Sequence, residues 1–309
     1  MKRACGKEAL EMTKKKTVLS KENRLFYVVN NLLLLAAFVI VAAPILNVVA
    51  SSFSTPGAVI TGKVSFFPVG FNIDAYKQIF QSRMLLIGYR NSIGYTVLGT
   101  VINIVMTILA AYPLSVKDFA GRGIFTGLFV FTMIFSAPLI PTFLNIEELG
   151  LLDTVWVMVL PGAISVYNLI IARTFFQNTI PDEMVEAARL DGADDICVLT
   201  RLVLPLSKSI LAVLVLYYAI AHWNSYFDAY IYLSSETKFT LQVVLRNIMS
   251  TAAALQEMAD ATVDQSERAA MIEVLKYAVI VFGSLPVIAL YPFVQKHFVK
   301  GVMIGSLKG

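Results

Sequence analysis

Long apolar runs alternate along most of the chain with short segments that are polar or contain Pro and Gly. A helix that crosses the hydrocarbon core of a bilayer needs about 20 mostly apolar residues. Six runs reach this length. They cover about Leu25–Ser51, Ser92–Val116, Gly123–Phe143, 154–176, 202–226 and 273–295. The pattern predicts an all-α membrane protein with six transmembrane helices in a single membrane domain.

The composition of the chain argues against an ordinary soluble domain. Of its 309 residues, 57% are apolar and 15% are charged, whereas about 25% of residues are charged in soluble globular proteins. The mean hydropathy is +0.72. A soluble fold of this length could not bury so much apolar surface. The first run could also be read as a signal peptide, but it is longer than the roughly 7 to 15 apolar residues of such a segment.

The distribution of Lys and Arg predicts the orientation in the membrane. With both termini in the cytoplasm, seventeen of these residues fall on the cytoplasmic side and eight on the outer side, in agreement with the positive-inside rule. We therefore predict a basic cytoplasmic tail at 1–24, a transmembrane domain at 25–298 and a cytoplasmic C-terminal tail at 299–309, in a multi-pass protein of the cell membrane. The basic tail is not typical of a nucleic-acid groove, so the bilayer, and no nucleic acid, is the expected partner.

Two predicted outer segments are longer than simple turns. In residues 52–90, Ile73, Tyr76 and Ile79 recur at helical spacing, which predicts a helix along the membrane surface. Residues 229–271 contain an apolar stretch followed by several acidic residues. This second segment is either a solvated acidic connector or a functional loop, because loops of this length between elements are often functional or mobile.

The cytoplasmic connection at about 177–201 has the signals of ordered structure. Pro181 suits the first turn of a helix, and acidic residues up to Glu186 favour its positive N-terminal end. Gly192 permits a sharp turn, and a second short helix is predicted over Asp194–Thr200. Such a helix pair could dock on another protein, or it could pack only on its own bundle.

At this connection the sequence resembles a known family. Glu186-Ala187-Ala188, followed by Gly192 and then by Leu202-Val203-Leu204-Pro205, resembles the EAA signature of binding-protein-dependent ABC importer permeases. Leu202 stands where that signature normally has Ile. Asp191-Gly192-Ala193 is similar to the form common in carbohydrate permeases. Further segments resemble the MalG-like subunit of maltose-type importers, in its LplC-like branch; these are Asn91-Ser92, 110–112, Trp223-Asn224, 160–168 and 296–309.

The resemblance implies a type I ABC importer permease fold with a cytoplasmic coupling helix. It implies a permease subunit of an ATP-driven importer for oligosaccharides or sugars that moves its substrate by alternating access. The implied partners are a second homologous permease subunit, two copies of a cytoplasmic ATPase and an extracellular solute-binding lipoprotein. The implied contacts with the ATPase are Glu186, Ala187, Ala188, Asp191, Gly192, Ala193, Leu204 and Pro205, together with Gly301, Gly305 and Lys308 in the C-terminal tail.

The chain is not expected to be an enzyme or to bind a cofactor. It has no phosphate-binding loop of the type G-x-x-x-x-G-K-[ST], so ATP and Mg²⁺ are expected on the partner ATPase. Its two cysteines, Cys5 and Cys197, and two histidines, His222 and His297, have no ligand spacing, which argues against a metal site.

Polar and aromatic residues within the predicted spans are candidates for the substrate path, because sugars bind to hydrogen-bonding groups and aromatic rings. They are Asn145, Tyr167, Asn168, Trp223, Asn224, Tyr226 and Asp228. Helical spacing predicts Trp223 beside Tyr226 and places Asn224 one turn from Asp228. The aromatic residues could instead be interfacial anchors, and an Asn within a span could simply join two helices.

Other functions stay open at this point. The permease could carry a non-sugar solute such as a peptide or an amino acid. A different class of protein, an ion-coupled secondary carrier, would need ionisable residues within the spans or matching broken helices, and neither is evident in the sequence. An enzyme embedded in the membrane would need paired carboxylates or a nucleophile with a base, which the spans do not contain.

Overall fold

The computed structural model describes residues 21–258 and 263–306, and the side chains of residues 25–251 and 270–292. Within these ranges the chain is built of helices, and no strand occurs. The helices before residue 180 are α1 (Lys21–Ser52), α2 (Pro56–Ile60), α3 (Asp74–Gln81), α4 (Arg83–Ser115), α5 (Arg122–Ile134), α6 (Leu139–Glu148) and α7 (Val166–Thr179). They are followed by α8 (Asp182–Leu190), α9 (Asp195–Leu206), α10 (Lys208–Trp223), α11 (Tyr226–Tyr232), α12 (Leu241–Met258) and α13 (Val263–Ser306).

Three of the described helical stretches are long and apolar enough to cross a membrane without a break: Leu25–Ser52, Arg83–Ser115 and Ala270–Pro292. They correspond to the predicted first, second and sixth spans. The second begins at Arg83, upstream of the predicted Ser92. It does so because Ser82 caps the helix, its Oγ accepting a hydrogen bond from the backbone N–H of Leu85.

The predicted third and fifth spans are bent helix pairs in the structure. Helices α5 and α6 meet at 114°, and α9 and α10 meet at 83°. The first bend precedes Pro138, since a residue before proline avoids the α conformation. The second follows Pro205, which has no N–H for the helical ladder, and a π-helical stretch at Val198–Val203. The fifth predicted span is therefore not one straight helix, and its second arm begins at Lys208.

The predicted fourth span, 154–176, is wrong in its boundaries. A short 3₁₀ turn covers Val155–Met158, and α7 begins only at Val166, with Ser165 as its N-cap. The interruption contains Pro161 and Gly162, which disfavour a continuous helix. Since α7 has 14 residues, it rises about 21 Å and is shorter than the roughly 30 Å hydrocarbon core. A total of six spans stays a prediction.

One hydrophobic core joins α4, α7, α9 and α10. Leu169, Phe176, Leu214 and Tyr218 are buried in it. A hydrogen bond crosses this core, with 2.6 Å between Thr107 Oγ1 and Tyr218 Oη. Polar contacts of this kind hold neighbouring helices together where lipid surrounds them.

A second core joins α3, α12 and α13 to the start of α4. Ile79 on α3 and Leu241 on α12 are fully buried there, beside Val279 on α13. The predicted surface helix is thus present as α3, but it is packed against the bundle by Ile79. The segment after residue 229, read as a connector or a functional loop, contains the packed helix α12.

Helices α1 and α13 mark the ends of the described chain. Large apolar side chains of α1, such as Leu33 and Phe38, are about two-thirds exposed, which is typical of helices that contact lipid or another chain. Helix α13 continues to Ser306, so Gly301 and Gly305 lie on the same helix as the predicted sixth span. Lys308 and residues 1–20 of the predicted basic tail lie outside the described residues.

Candidate functional site

The coupling segment, residues 177–201, begins at the end of α7, which is hydrogen-bonded to the end of α4. Arg173 Nε and Gln177 Nε2 on α7 donate to the carbonyls of Leu114 and Ser115, at 3.0 and 3.3 Å. These bonds satisfy carbonyl groups that a helix C-terminus leaves unpaired. The start of the coupling segment is therefore held against the C-terminal end of α4.

A glycine turn connects the two helices of the coupling segment. Gly192 has a φ of +85°, a left-handed conformation that favours glycine. Its N–H donates to the Arg189 carbonyl at 3.0 Å, and the N–H of Ala193 donates to the Ala188 carbonyl at 2.9 Å. This pair of bonds is a Schellman motif, so the structure has the sharp turn that the sequence predicts. A side chain at Gly192 would meet no atom within 4 Å, which leaves the turn open to its surroundings.

Side-chain contacts hold the two helices in place after the turn. Asp194 caps α9, since its Oδ1 accepts from the Cys197 N–H at 2.8 Å. An ion pair joins Arg189 to Asp195 at 2.9 Å, and another joins Lys117 to Asp182. The hydrogen bond to Asp182 raises the pKa of the Lys117 ammonium. Both pairs are exposed, so they orient the segment more than they stabilise it.

One face of the coupling segment packs on the bundle and the other does not. Val185 and Ala188 lie against the core of α4, α7 and α10. Met184, Leu190 and Ile196 are 42%, 90% and 71% exposed. Exposed apolar side chains surrounded by polar residues are typical of protein interfaces.

The predicted ATPase contacts from Glu186 to Pro205 are divided between packed and exposed positions. Ala188, Ala193 and Leu204 pack against the core. The exposed members are Glu186, Ala187, Asp191, Gly192 and Pro205. The structure therefore gives the first group a role in supporting the segment and leaves the second group accessible.

Besides the coupling segment, the structure has a cavity of about 870 Å³. It lies at the C-terminal end of α10, away from the coupling segment. Its walls come from the end of α10, from α11, α12 and α13. The lining residues are Trp223, Asn224, Tyr226, Gln242, Leu245, Arg246, Met249, Ser250, Ile280, Gly283, Ser284, Val287 and Ile288. Its volume is in the usual range for ligand sites.

Of the seven residues predicted for the substrate path, the cavity brings together Trp223, Asn224 and Tyr226. They do not share one helix as expected, because α10 ends at Trp223 and a new helix begins at Tyr226. Trp223 is buried, and its Nε1 donates to the Gly283 carbonyl at 3.0 Å. Its indole thus joins α10 to α13 and is a fixed wall of the cavity.

The other four predicted path residues do not line this cavity. Asn145 is exposed on α6, and Tyr167 is exposed at the start of α7. Asn168 is buried on α7, and Asp228 is exposed on α11. No common site joins these four residues in the part of the chain that the structure describes.

The wall formed by α12, above all Gln242 and Arg246, was not among the residues predicted from the sequence. Leu241, Val243 and Val244 are buried while Arg246 is exposed, so α12 is an amphipathic helix. That pattern was available in the sequence as a signal. Its position beside Trp223 depends on tertiary packing and could not be read from the sequence. Among the described residues, no group of three His, Cys, Asp or Glu side chains could hold a metal ion.

Comparisons with known proteins agree with the resemblance at the coupling segment. Residues 85–304 match the family of binding-protein-dependent transport system inner membrane components. The chain is 40% identical over 288 residues to the polygalacturonan/rhamnogalacturonan transport system permease protein YtcP of Bacillus subtilis, covering 93% of this chain and 100% of YtcP. It is also 40% identical over 291 residues to protein LplC of Bacillus subtilis, covering 94% of this chain and 97% of LplC.

A solved structure is similar over nearly the whole chain. It is a crystal structure of a bacterial ABC transporter involved in the import of the acidic polysaccharide alginate. One of its chains superposes with a TM-score of 0.80 at 35% identity, covering 90% of this chain and 98% of that chain.

Proposed function

The chain belongs to the family of binding-protein-dependent transport system inner membrane components, and from that premise we propose that it is a permease subunit of an ATP-driven importer for oligosaccharides. It is membrane-integral, with apolar helices long enough to span a bilayer. We propose six spans in the cell membrane with both termini in the cytoplasm, supported by the distribution of Lys and Arg.

The observation that carries the proposal is the exposed apolar face of the coupling segment. Leu190, at 90% exposure, precedes the Gly192 turn, and Met184 and Ile196 are exposed on the helices to either side. A short helix with an apolar face fits into a groove on a partner protein. We propose that this partner is a cytoplasmic ATPase, and that the exposed residues from Glu186 to Gly192 contact it.

Motion of the ATPase would reach the bundle through two attachments. Arg173 and Gln177 hydrogen-bond the end of α7, where the coupling segment begins, to the end of α4. The coupling segment also continues directly into α9 and α10, with Leu204 packed against the core. Displacement of the segment would therefore move α4 and α10 together. Because α10 leads to the cavity at Trp223, this coupling supports alternating access.

The remaining partners follow from the same proposal. A second, homologous permease subunit would cover exposed apolar surface and complete the translocation path, and two ATPase copies would bind ATP and Mg²⁺. This chain would bind no cofactor and catalyse no reaction. A solute-binding lipoprotein would deliver the substrate on the outer side. Gly301, Gly305 and Lys308 would lie near the ATPase if the C-terminal end projects into the cytoplasm.

An oligosaccharide substrate is supported by the polysaccharide transport named for YtcP and for the alginate transporter. The cavity offers the rings of Trp223 and Tyr226 and the amides of Asn224 and Gln242, which suit sugar hydroxyls and C–H faces. We keep Asn145, Tyr167, Asn168 and Asp228 as candidates for other parts of the path.

The test is uptake of labelled oligosaccharides into proteoliposomes that contain the chain with its partner permease, ATPase and binding protein. We expect uptake to require ATP and the binding protein and to continue when ionophores dissipate ion gradients. A Glu186→Ala, Gly192→Asp variant should assemble but take up little substrate. Uptake driven by an ion gradient without ATP would instead identify a secondary carrier, and uptake of peptides or amino acids alone would refute the sugar assignment.

A further inference from the structure

The cavity at the end of α10 contains one charged side chain among its lining residues, Arg246 on α12. The rest of the lining is apolar, aromatic or neutral and polar. Within the part of the chain whose side chains are described, no carboxylate lies within 4.0 Å of the Arg246 guanidinium. A permanent positive charge thus faces a largely apolar cavity.

Aromatic rings fix the position of this charge. The Arg246 Cζ lies 4.9 Å from the centroid of the Tyr226 ring and 5.7 Å from that of Tyr230. The two rings are stacked on each other, with centroids 5.6 Å apart. Contacts between a cation and aromatic faces reduce the freedom of the side chain. They use the face of the rings and leave N–H groups of the guanidinium available for an anion.

Neutral hydrogen-bonding groups surround the same space. The side-chain amides of Asn224 and Gln242 line the cavity, and neither forms a hydrogen bond with another described residue. The indole of Trp223 forms a wall that is held by its bond to Gly283. The cavity thus combines a fixed cation, two amides and aromatic surfaces.

We propose that this cavity is a subsite of the translocation path for an acidic sugar, in which Arg246 binds the carboxylate of a uronic acid residue. A planar guanidinium pairs with a carboxylate through two parallel N–H···O bonds, which a neutral sugar cannot form. The amides of Asn224 and Gln242 bind ring hydroxyls, and the rings of Trp223 and Tyr226 contact the apolar sugar face. The proposal rests on the proposed function and specifies its substrate class.

The experiment compares trigalacturonate with its methyl ester, which keeps the sugar rings and linkages but replaces each charged carboxylate with a neutral ester that is larger by one methyl group. Uptake of both is measured in the reconstituted complex with wild-type chain or with Arg246→Gln. The matched control is Arg83→Gln, which removes an exposed arginine of α4 that does not line the cavity. Any preference for the acid that comes from the binding protein is the same for the wild type and for both variants. A change in the ratio of acid uptake to ester uptake therefore reports on the permease.

We expect Arg246→Gln to lower the relative kcat/KM for the acid over the ester by about 10- to 100-fold, the range for a hydrogen-bonded ion pair. Arg83→Gln should leave the ratio at the wild-type value. Arg246→Lys keeps the charge but loses the two parallel bonds, and it should give an intermediate ratio. It also serves as the test variant if Arg246→Gln does not assemble.

Two outcomes overturn the proposal in different ways. An unchanged ratio in Arg246→Gln and Arg246→Lys, with ATP-dependent uptake intact, would refute the acidic subsite and leave the permease function standing. If the wild-type complex takes up neither compound, nor any neutral oligosaccharide, in an ATP-dependent manner, the proposed function fails and this proposal fails with it.

Discussion

Replacing Gly99 by alanine is expected to disturb the contact between α4 and α10. A Cβ atom at Gly99 would lie 2.3 Å from Nε2 and 2.4 Å from Cε1 of His222, far inside van der Waals contact. The His222 ring cannot turn away freely, because its Nε2 is 2.6 Å from Asn103 Oδ1. Asn103 in turn donates to the Gly162 carbonyl at 2.5 Å. The substitution must therefore move a helix or break this chain of hydrogen bonds.

The magnitude follows from three contributions. An alanine in a helix interior is favoured over glycine by about 1 kcal/mol. Inserting a methyl group into a filled site costs about 1–3 kcal/mol, and losing the partner of a buried polar group costs about 1–3 kcal/mol more. The net change expected for Gly99→Ala is a loss of about 1–5 kcal/mol of stability.

Gly94, on the same helix, is the matched control. A Cβ atom there would meet nothing within 4 Å, so Gly94→Ala should be neutral or stabilising by up to about 1 kcal/mol. The assay is thermal unfolding of the detergent-solubilised protein, with both variants compared at one scan rate because unfolding of membrane proteins is often irreversible. Equal unfolding temperatures for Gly99→Ala and Gly94→Ala would refute the close approach of α4 and α10.

Three further predictions address the turn, the core and a loop contact. Gly192→Ala places an L-residue at a φ of +85°, a strain of about 1–2 kcal/mol, and should lower binding-protein-stimulated ATP hydrolysis more than Gly192→Asn does. Tyr218→Phe removes the hydroxyl that contacts Thr107 and should destabilise the protein by about 1–3 kcal/mol in thermal unfolding. The hydrogen bond from Lys238 holds the pKa of Asp153 well below its usual range. The contribution of this contact to stability is therefore complete above about pH 4, the pKa of an unfolded aspartate, and it is lost as the pH falls through the lower pKa of the folded state. The difference in unfolding temperature between wild type and Asp153→Asn should therefore be largest at neutral pH and shrink below pH 4, whereas a constant difference would contradict this role.

The turn of the coupling segment could be predicted from the sequence because its signals are local. Pro181 precedes α8, Gly192 takes the left-handed position after it, and Asp194 caps α9. Each signal acts within a few residues, so neighbouring sequence is sufficient to identify it. The pattern also indicated a docking surface, and the exposure of Leu190 supports that interpretation.

The straightness of the spans could not be predicted by counting apolar residues. The run 154–176 is mostly apolar, but its helix starts only at Val166, because Pro161 and Gly162 interrupt the helix despite the apolar residues around them. The bend of 83° after Leu206 similarly follows Pro205. Both prolines were visible in the sequence, although their effect on helix direction depends on the packing of adjacent helices.

The cavity was only partly predictable for a different reason. Trp223 and Tyr226 are close in sequence, whereas Arg246 joins them through the fold of α12 against α13. The bond from Trp223 to Gly283 connects residues 60 positions apart. No local pattern reports a contact at that separation, so Arg246 could be assigned only to an outer segment.

Whether the coupling segment transmits ATPase motion is tested most directly by ATP hydrolysis in the reconstituted complex, with and without loaded binding protein, for Leu190→Asp and Leu190→Met. Leu190 is 90% exposed, so neither substitution should change the thermal stability of the isolated chain. If the coupling segment transmits ATPase motion, the aspartate should lower stimulated hydrolysis by about tenfold, the loss expected for a central apolar contact. The methionine should preserve hydrolysis. Equal stimulation of the wild type and both variants would show that Leu190 and the coupling segment do not transmit ATPase motion.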